Sequence, residues 1–202
     1  GVVLGLFWGC SGILRAFFHK LFRILNNRSD AVSAQGFTKV GNAINSRLVN
    51  ASQKIKIASA SARTDCDEHH DILSQIALRV HQTILPNFPH HALTTALNKR
   101  ELINFTSTPE GVALPHAIRD EIEPNASGIV LFTLLRPILW CSHQVQIVVG
   151  LFGSTAQPWV HVRSLARIAR VCSQDNMRQQ LIACADDVAL LNLFDKECNN
   201  DV

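Results

Sequence analysis

The pattern of hydrophobic and polar positions predicts regular elements from about residue 53 onwards. Residues 53–60 alternate between apolar and polar side chains, as a half-buried strand does. Residues 65–84 carry apolar side chains at helical spacing, and a second helix is predicted to follow "PNFPHH" and to run to about Leu102. This part of the chain therefore predicts a strand followed by two helices.

The second half of the chain contains two nearly continuous apolar runs. Residues 127–135 and 144–153 predict buried strands, and helices are predicted to follow at about residues 157–173, 174–184 and 186–195. Strands that are apolar on both faces need helices on both faces of their sheet. The sequence therefore predicts an α/β fold, a three-layer α/β/α sandwich in which five helices cover a mixed β-sheet.

The first 52 residues differ from this domain in composition and in hydrophobic pattern. Residues 8–25 predict a basic amphipathic helix, and residues 26–52 are polar, small and turn-rich, which predicts a linker. We therefore expect a helical and linker extension over residues 1–52 and a compact domain over residues 53–202. The apolar side of the predicted helix consists of Leu14, Phe17, Phe18, Leu21, Ile24 and Leu25.

A basic amphipathic helix at this position has three interpretations. It is typical of contact with a membrane surface, and such contact through residues 8–25 is one expectation. The same apolar stripe suits docking on the domain or on a second copy of the chain. The basic, acid-poor composition of the extension is also similar to that of an organelle transit peptide.

Charge and cysteine content narrow the classes of partner and compartment. Residues 1–64 carry nine Lys or Arg side chains and one acid, whereas the remaining residues carry ten basic and fifteen acidic side chains. An acidic domain binds phosphate backbones poorly, so no nucleic acid partner is expected. The six cysteines form no CxxC pair, which favours reduced thiols and a cytoplasmic location.

The stretch "KRELINFTSTPEGVALPHA", residues 99–117, ends a short apolar run with Pro115 and His116. A lone histidine beside an apolar run is usually structural. Here Arg100 precedes it, and Pro115 restricts the backbone so that the histidine points in a defined direction. A neutral imidazole nitrogen is a nucleophile at physiological pH, because its ordinary pKa is about 6.5.

Several motifs occur together in the order and at the intervals of one known family. They are Arg100-Glu101 at a predicted helix end, Thr106, "GVALPHA" at residues 111–117, and "HVRSLARIAR" from His161. With these motifs, residues 53 to about 196 resemble the enzyme IIA domain of the fructose/mannitol type in the bacterial sugar phosphotransferase system. That family includes the nitrogen-regulatory IIA proteins.

The resemblance implies a phosphotransferase with a phosphohistidine intermediate. His116 would accept a phosphoryl group from a histidine-containing phosphocarrier protein and pass it to a IIB domain, or serve a regulatory target protein. Arg100 and His161 would support the charge of the group, and Thr106 and Ser107 would support phosphate binding. Neither an organic cofactor nor a metal is implied. The alternative is a non-catalytic IIA-like interaction module that is regulatory or membrane-associated.

The chain departs from the family pattern at Thr108-Pro109-Glu110, where members usually carry Ile-Gly before the glycine of the core. Proline cannot adopt the positive φ that glycine permits, so this loop is expected to take another path. A carboxylate near His116 would raise the pKa of the imidazole and repel a phosphoryl group. The direction of Glu110 is therefore important for the proposed chemistry.

Two polar clusters, "DCDEHHD" at residues 65–71 and the histidine pair at residues 90–91, could suggest a metal site. A helix cap at Asp65 or Asp67 explains the first cluster without an ion. Adjacent histidines on a helix face different directions, and no third fixed ligand is evident, so no metal site is expected. Convergence of the arginine and the two histidines of the family motifs at one shallow surface site would support phosphotransfer, whereas their separation or burial would argue against it.

Overall fold

A computed structural model describes residues 54–103 and 105–200 of the chain. The predicted amphipathic helix of residues 8–25 and the predicted linker of residues 26–52 lie outside the described residues. Within the described ranges, no helix is both long enough and apolar enough to cross a membrane. The described residues lie within the range 53–202 that the sequence assigns to the domain.

Five strands and five helices of the α type follow one another along the described residues. In chain order they are β1 Ile57–Thr64, α1 His69–Thr83, α2 His90–Ile103, β2 Val112–Ala113, β3 His116–Arg119, β4 Gly128–Trp140, β5 His143–Ser154, α3 Pro158–Cys172, α4 Asp175–Ala183 and α5 Asp187–Asn199. A short 3-10 helix, Pro124–Ala126, precedes β4.

The five strands form one mixed sheet. The long strands β4 and β5 are antiparallel and are joined by a tight turn in which Cys141 has a φ of 57°. β1 is parallel to β4, and β2 and β3 are both parallel to β5. The short strands β2 and β3 therefore form one edge of the sheet and β1 forms the other. This topology confirms the predicted mixed sheet.

Alternate side chains of β4 enter two separate hydrophobic cores. Ile129 and Leu131 lie in a core with side chains of α3, α4 and α5, whereas Val130 and Phe132 lie in a core with side chains of α1 and α2. This alternation is the period of two that a strand imposes when both of its faces are covered. The predicted α/β/α sandwich is thereby confirmed.

The first strand begins later than the sequence predicts. β1 starts at Ile57 and continues to Thr64. The amide of Asn199, in α5, accepts from the backbone N–H of Ile55 at 2.7 Å and donates to the carbonyl of Ile55 at 3.1 Å. This contact attaches the last helix to the entry of the domain.

The beginning of α1 corrects another expectation. Glu68 occupies the N-cap position and makes no side-chain capping hydrogen bond. Asp65 and Asp67 instead accept hydrogen bonds from Arg136 of β4, at 3.0 Å and 3.2 Å. The predicted helix cap at Asp65 or Asp67 is therefore wrong, because both acids pair with a strand that sequence spacing cannot reveal.

Candidate functional site

His116 is the first residue of β3, at the edge of the sheet. The carbonyl of the preceding Pro115 accepts a hydrogen bond of 3.0 Å from the backbone N–H of Leu151, which fixes the entry of β3 against β5. His116 is 8% exposed, so its imidazole lies mostly inside the domain. The site is therefore deeper than a shallow surface site, and this burial counts against phosphotransfer by the criterion drawn from the sequence.

Two hydrogen bonds fix the tautomer of His116. Its Nδ1 lies 2.8 Å from the carbonyl oxygen of Leu114, which can only accept a hydrogen bond. Its Nε2 lies 3.0 Å from Nη2 of Arg100, which can only donate one. The neutral ring therefore carries its proton on Nδ1, and the lone pair of Nε2 faces Arg100.

Arg100 reaches this lone pair from the last turn of α2. The neighbouring Glu101 is engaged elsewhere, so the arginine is not merely the partner of the adjacent acid. Nε of Arg100 is buried and has no hydrogen-bond partner among the described residues. Because guanidinium is permanently charged and has several donors, it can turn toward an anion placed beside Nε2.

His161 completes the cluster from the first turns of α3. The ring centroids of His116 and His161 are 5.6 Å apart, and the two ring planes are inclined by 50°. His161 is 4% exposed. Burial, and after it the repulsion between a protonated His161 and the cations that His116 and Arg100 can form, lowers the pKa of His161 to about 3. His161 is therefore a neutral imidazole at physiological pH, and the structure brings all three predicted residues together.

The carboxylate of Glu101 fastens the segment after α2 to the sheet. Glu101 is buried, and its Oε2 accepts hydrogen bonds from the backbone N–H of Thr106 at 3.0 Å and from the indole N–H of Trp140 at 2.9 Å. Two donors offset the cost of burying this carboxylate. Glu101 belongs to the Arg100-Glu101 motif, but the structural role of its carboxylate depends on Trp140. Trp140 is distant in sequence and comes near only in the folded chain.

Thr106 and Ser107, both predicted to support phosphate binding, have different surroundings. The hydroxyl of Ser107 donates to the carbonyl of Trp140 at 2.9 Å and lies 3.1 Å from Nδ1 of His143. The hydroxyl of Thr106 is buried and has no partner within the described part of the chain. Ser107 is thus engaged by the β4–β5 hairpin, and Thr106 is the one of the two with an uncommitted hydroxyl.

The segment from Thr108 to Val112 forms the tight turn that Pro109 requires. The N–H of Gly111 donates to the carbonyl of Thr108 at 3.1 Å, and the N–H of Thr108 donates to the carbonyl of Val112 at 2.9 Å. Gly111 has a φ of 82°, the left-handed conformation that closes a three-residue hairpin loop. The positive φ falls on glycine, and Pro109 occupies a turn position that favours its fixed φ. Oε2 of Glu110 is buried in this turn without a hydrogen-bond partner among the described residues.

The polar clusters outside this site have structural partners. Nδ1 of His70 lies 2.5 Å from the amide oxygen of Asn98, and the ring centroids of His90 and His91 are 6.1 Å apart. In residues 54–103 and 105–200, no group of three His, Cys, Asp or Glu side chains could hold a metal ion. The five cysteines in these ranges are free thiols.

Together, the fold and the cluster define a small α/β domain whose edge strand presents a histidine to an arginine and a second histidine. The model of the family described as "Phosphoenolpyruvate-dependent sugar phosphotransferase system, EIIA 2" matches residues 62–197. The chain belongs to this family, which confirms the resemblance seen in its motifs. A comparison with curated proteins finds no match.

Solved structures of IIA proteins have the same fold. The nitrogen regulatory protein IIA-Ntr from Neisseria meningitidis superposes with a TM-score of 0.61 at 14% identity, over 73% of this chain and 99% of that chain. IIA mannitol from Escherichia coli gives a TM-score of 0.56 at 13% identity, over 70% and 99%. The Escherichia coli complex of enzyme IIAMTL and phosphorylated enzyme IIBMTL gives 0.51 at 12% identity, over 70% and 96%.

Proposed function

We propose that this protein is a phosphocarrier in which Nε2 of His116 accepts a phosphoryl group from a histidine-containing phosphocarrier protein. The group then passes to a IIB component or is held as a regulatory signal. The observation that carries this proposal is the fixed tautomer of His116. Because the Leu114 carbonyl holds the proton on Nδ1, Nε2 carries the electron pair of the ring, which Arg100 covers in the unphosphorylated protein, and it needs no general base.

In the proposed transfer, the lone pair of Nε2 attacks phosphorus. The bond between phosphorus and the donor's histidine nitrogen breaks, and its electron pair returns to the donor ring. The His116 ring, which keeps its Nδ1 proton, then carries a positive charge that the carbonyl of Leu114 stabilises through the 2.8 Å hydrogen bond. A cationic ring is a good leaving group, so the phosphoryl group can be handed on.

Arg100 supplies the charge that this transfer needs. Negative charge spreads over the equatorial oxygens of phosphorus in the transition state, and positioned cations stabilise it. The guanidinium, 3.0 Å from Nε2, leaves that atom and binds the phosphoryl oxygens as the group arrives. Each such charge-assisted hydrogen bond contributes about 1.5–3 kcal/mol.

His161 and Thr106 provide neutral donors in this proposal. A neutral imidazole at His161 offers an N–H to a phosphoryl oxygen without a charge that would repel Arg100. The uncommitted hydroxyl of Thr106 offers another donor. We leave Ser107 out of the proposed phosphate site, because the β4–β5 hairpin already occupies its hydroxyl.

The proposed acceptor is a IIB component, and the proposed location is the cytoplasm. Support for the acceptor comes from the likeness to Escherichia coli enzyme IIAMTL, which has been solved in complex with phosphorylated enzyme IIBMTL. The free thiols of the five described cysteines agree with a reducing compartment. Membrane-surface contact through residues 8–25 stays a prediction, because those residues lie outside the described ranges.

One observation favours a second candidate, a non-catalytic IIA-like module that binds a regulator. His116 is 8% exposed, and Arg100 stands at the nitrogen that a donor must reach. A site that keeps this arrangement permanently would bind partners without transferring phosphate. The phosphocarrier differs from this module in requiring that the guanidinium move.

Phosphorylation by a reconstituted chain of donors separates the two candidates. The full chain is incubated with phosphoenolpyruvate, enzyme I and the phosphocarrier, and acid-labile phosphate is measured by mass spectrometry. We expect one phosphate in the native chain and in His143→Asn, a matched control outside the cluster, and none in His116→Asn. A native chain that stays unmodified beside a phosphorylated donor would leave the non-catalytic module as the function.

A further inference from the structure

We propose that Gly153 is a positioning residue that sets the orientation of the His161 ring for phosphoryl transfer. This inference rests on the proposed function of the site. Gly153 lies near the end of β5 and pairs in register with Ile118 of β3, on the strand that begins with His116. The glycine is therefore placed where the edge strand and α3 meet.

The ring of His161 rests directly on the bare backbone of Gly153. A Cβ atom at this position would lie 3.1 Å from Nδ1 of His161, 3.4 Å from its Cβ and 3.6 Å from its Cγ. Carbon atoms in good van der Waals contact are about 3.5–4.0 Å apart, so the first of these distances requires the ring to move. Every side chain other than hydrogen would push the δ1 edge of the imidazole away from β5.

This contact determines which nitrogen of His161 can serve the reaction. Nδ1 is buried and has no hydrogen-bond partner among the described residues. Such an atom is unfavourable in a folded protein, so tight packing must hold it in place. With Nδ1 against Gly153, Nε2 is the nitrogen left for the phosphoryl site, and it must carry the proton of the neutral ring if it is to donate to a phosphoryl oxygen.

The direction of the Nε2–H bond of His161 then depends on how closely the ring packs against the backbone of Gly153. His161 lies 5.6 Å from His116 between ring centroids, and neither side chain has much freedom at its level of burial. A displacement of a few tenths of an ångström at Gly153 therefore reaches Nε2 instead of being absorbed by solvent. Gly153 itself has no side chain and touches no reacting atom, so its effect is transmitted through His161.

A double-mutant cycle tests this role in the reconstituted phosphorylation reaction. We expect Gly153→Ala to lower the maximal single-turnover rate of His116 phosphorylation about tenfold through misplacement of a donor, and to leave the phosphocarrier concentration at half-maximal rate unchanged. In a His161→Ala background the same substitution should change this rate less than twofold, because no ring remains to be displaced. Equal losses in both backgrounds would overturn the inference.

Gly128→Ala is the matched control. Its Cβ would lie 3.3 Å from Cβ of Ala58, 3.3 Å from Cδ1 of Ile84 and 3.5 Å from the carbonyl oxygen of Lys56, a similarly tight contact that does not involve His161. We expect this variant to keep the single-turnover rate within about twofold of the native value, because it leaves His161 in place. A loss equal to that of Gly153→Ala would show a general packing effect and overturn the inference.

A measurement on the unsubstituted chain does not depend on the folding of any variant. The ¹⁵N chemical shifts of His161 are expected to show a proton on Nε2 and none on Nδ1. The opposite tautomer would overturn the inference whatever the kinetics. A native chain that accepts no phosphoryl group, but shows the expected tautomer, would instead overturn the proposed function and leave the packing of His161 on Gly153 intact.

Discussion

The guanidinium of Arg100 donates to Nε2 of His116 across 3.0 Å, while the carbonyl of Leu114 holds Nδ1 of the same ring at 2.8 Å. These two contacts place a nucleophilic nitrogen and a permanent positive charge at one point of the sheet edge. Arg100 therefore covers, in the free protein, the atom that we propose to react. On phosphoryl transfer, the guanidinium of Arg100 exchanges a neutral acceptor, the imidazole of His116, for phosphoryl oxygens. Hydrogen bonds to these charged oxygens are stronger.

Arg100→Ala should slow phosphorylation of His116 by roughly ten- to a hundredfold, because it removes at least one charge-assisted hydrogen bond in the transition state. Arg100→Lys should recover part of the rate, since it restores the charge without the planar fork. The rates are measured by quenched-flow labelling from the phosphorylated donor. Lys99→Ala, an exposed neighbour on the same helix, is the control and should keep the native rate. An Arg100→Ala variant as fast as this control would refute the role of the guanidinium.

Glu101→Ala should lower the free energy of unfolding by about 3 kcal/mol, because the N–H groups of Thr106 and Trp140 lose their common acceptor while buried. Glu101→Gln keeps an acceptor oxygen and should cost clearly less. Urea unfolding followed by tryptophan fluorescence gives both values. Glu121→Ala, which breaks an exposed ion pair with Arg119, should stay within about 1 kcal/mol of the native value. Equal stabilities of all three variants would contradict a structural role for Glu101.

The stability of the domain should fall in acid partly because of His161. Its folded-state pKa of about 3 lies below the value of about 6.5 expected in the unfolded chain. Between these pH values the unfolded chain binds a proton that the folded chain does not, so stability decreases as the pH falls. The contribution of this residue to that decrease is about 2 kcal/mol from pH 7 to pH 5.

Urea unfolding at pH 7 and pH 5 measures this contribution. His161→Gln should lose less stability than the native chain over the same interval, by about 2 kcal/mol. His91→Gln removes an exposed histidine and should retain the contribution of His161. An identical pH dependence of His161→Gln and the native chain would show that the buried imidazole is not the source.

Gly111→Ala should destabilise the domain by about 1–2 kcal/mol, because an L side chain is disfavoured at a φ of 82°. Its Cβ would also lie 3.2 Å from the carbonyl oxygen of Gln144. Pro109→Ala, in the same turn, should cost about 1 kcal/mol or less, since it mainly loosens the unfolded chain. Thermal unfolding compares the two. A larger loss at Pro109 than at Gly111 would mean that the turn is built differently.

The long elements could be predicted from the sequence because their patterns are long enough to be specific. The apolar run of residues 144–153 extends by only one residue at each end in β5, His143–Ser154. The strands β2 and β3, of two and four residues, are too short to show a period, and their pairing with β5 depends on contacts distant in sequence. The same limitation hid the contact of Arg136 with Asp65 and Asp67.

The sequence predicts those residues of the site that belong to local motifs. Arg100, His116 and His161 lie in recognisable segments, and the structure brings them together. The link from Glu101 to Trp140 joins positions 39 residues apart, and no local pattern specifies it. Whether a hydroxyl such as that of Ser107 is free also depends on the hairpin that packs against it.

The position of the phosphate on the imidazole ring is the most direct test of the proposed chemistry. The full chain, labelled with ¹⁵N-histidine, is phosphorylated from phosphoenolpyruvate through enzyme I and the phosphocarrier, and ¹⁵N–³¹P couplings are recorded. We expect phosphorus bonded to Nε2 of His116 and a proton retained on Nδ1. Phosphate on Nδ1 of His116, or on any other residue, would contradict it.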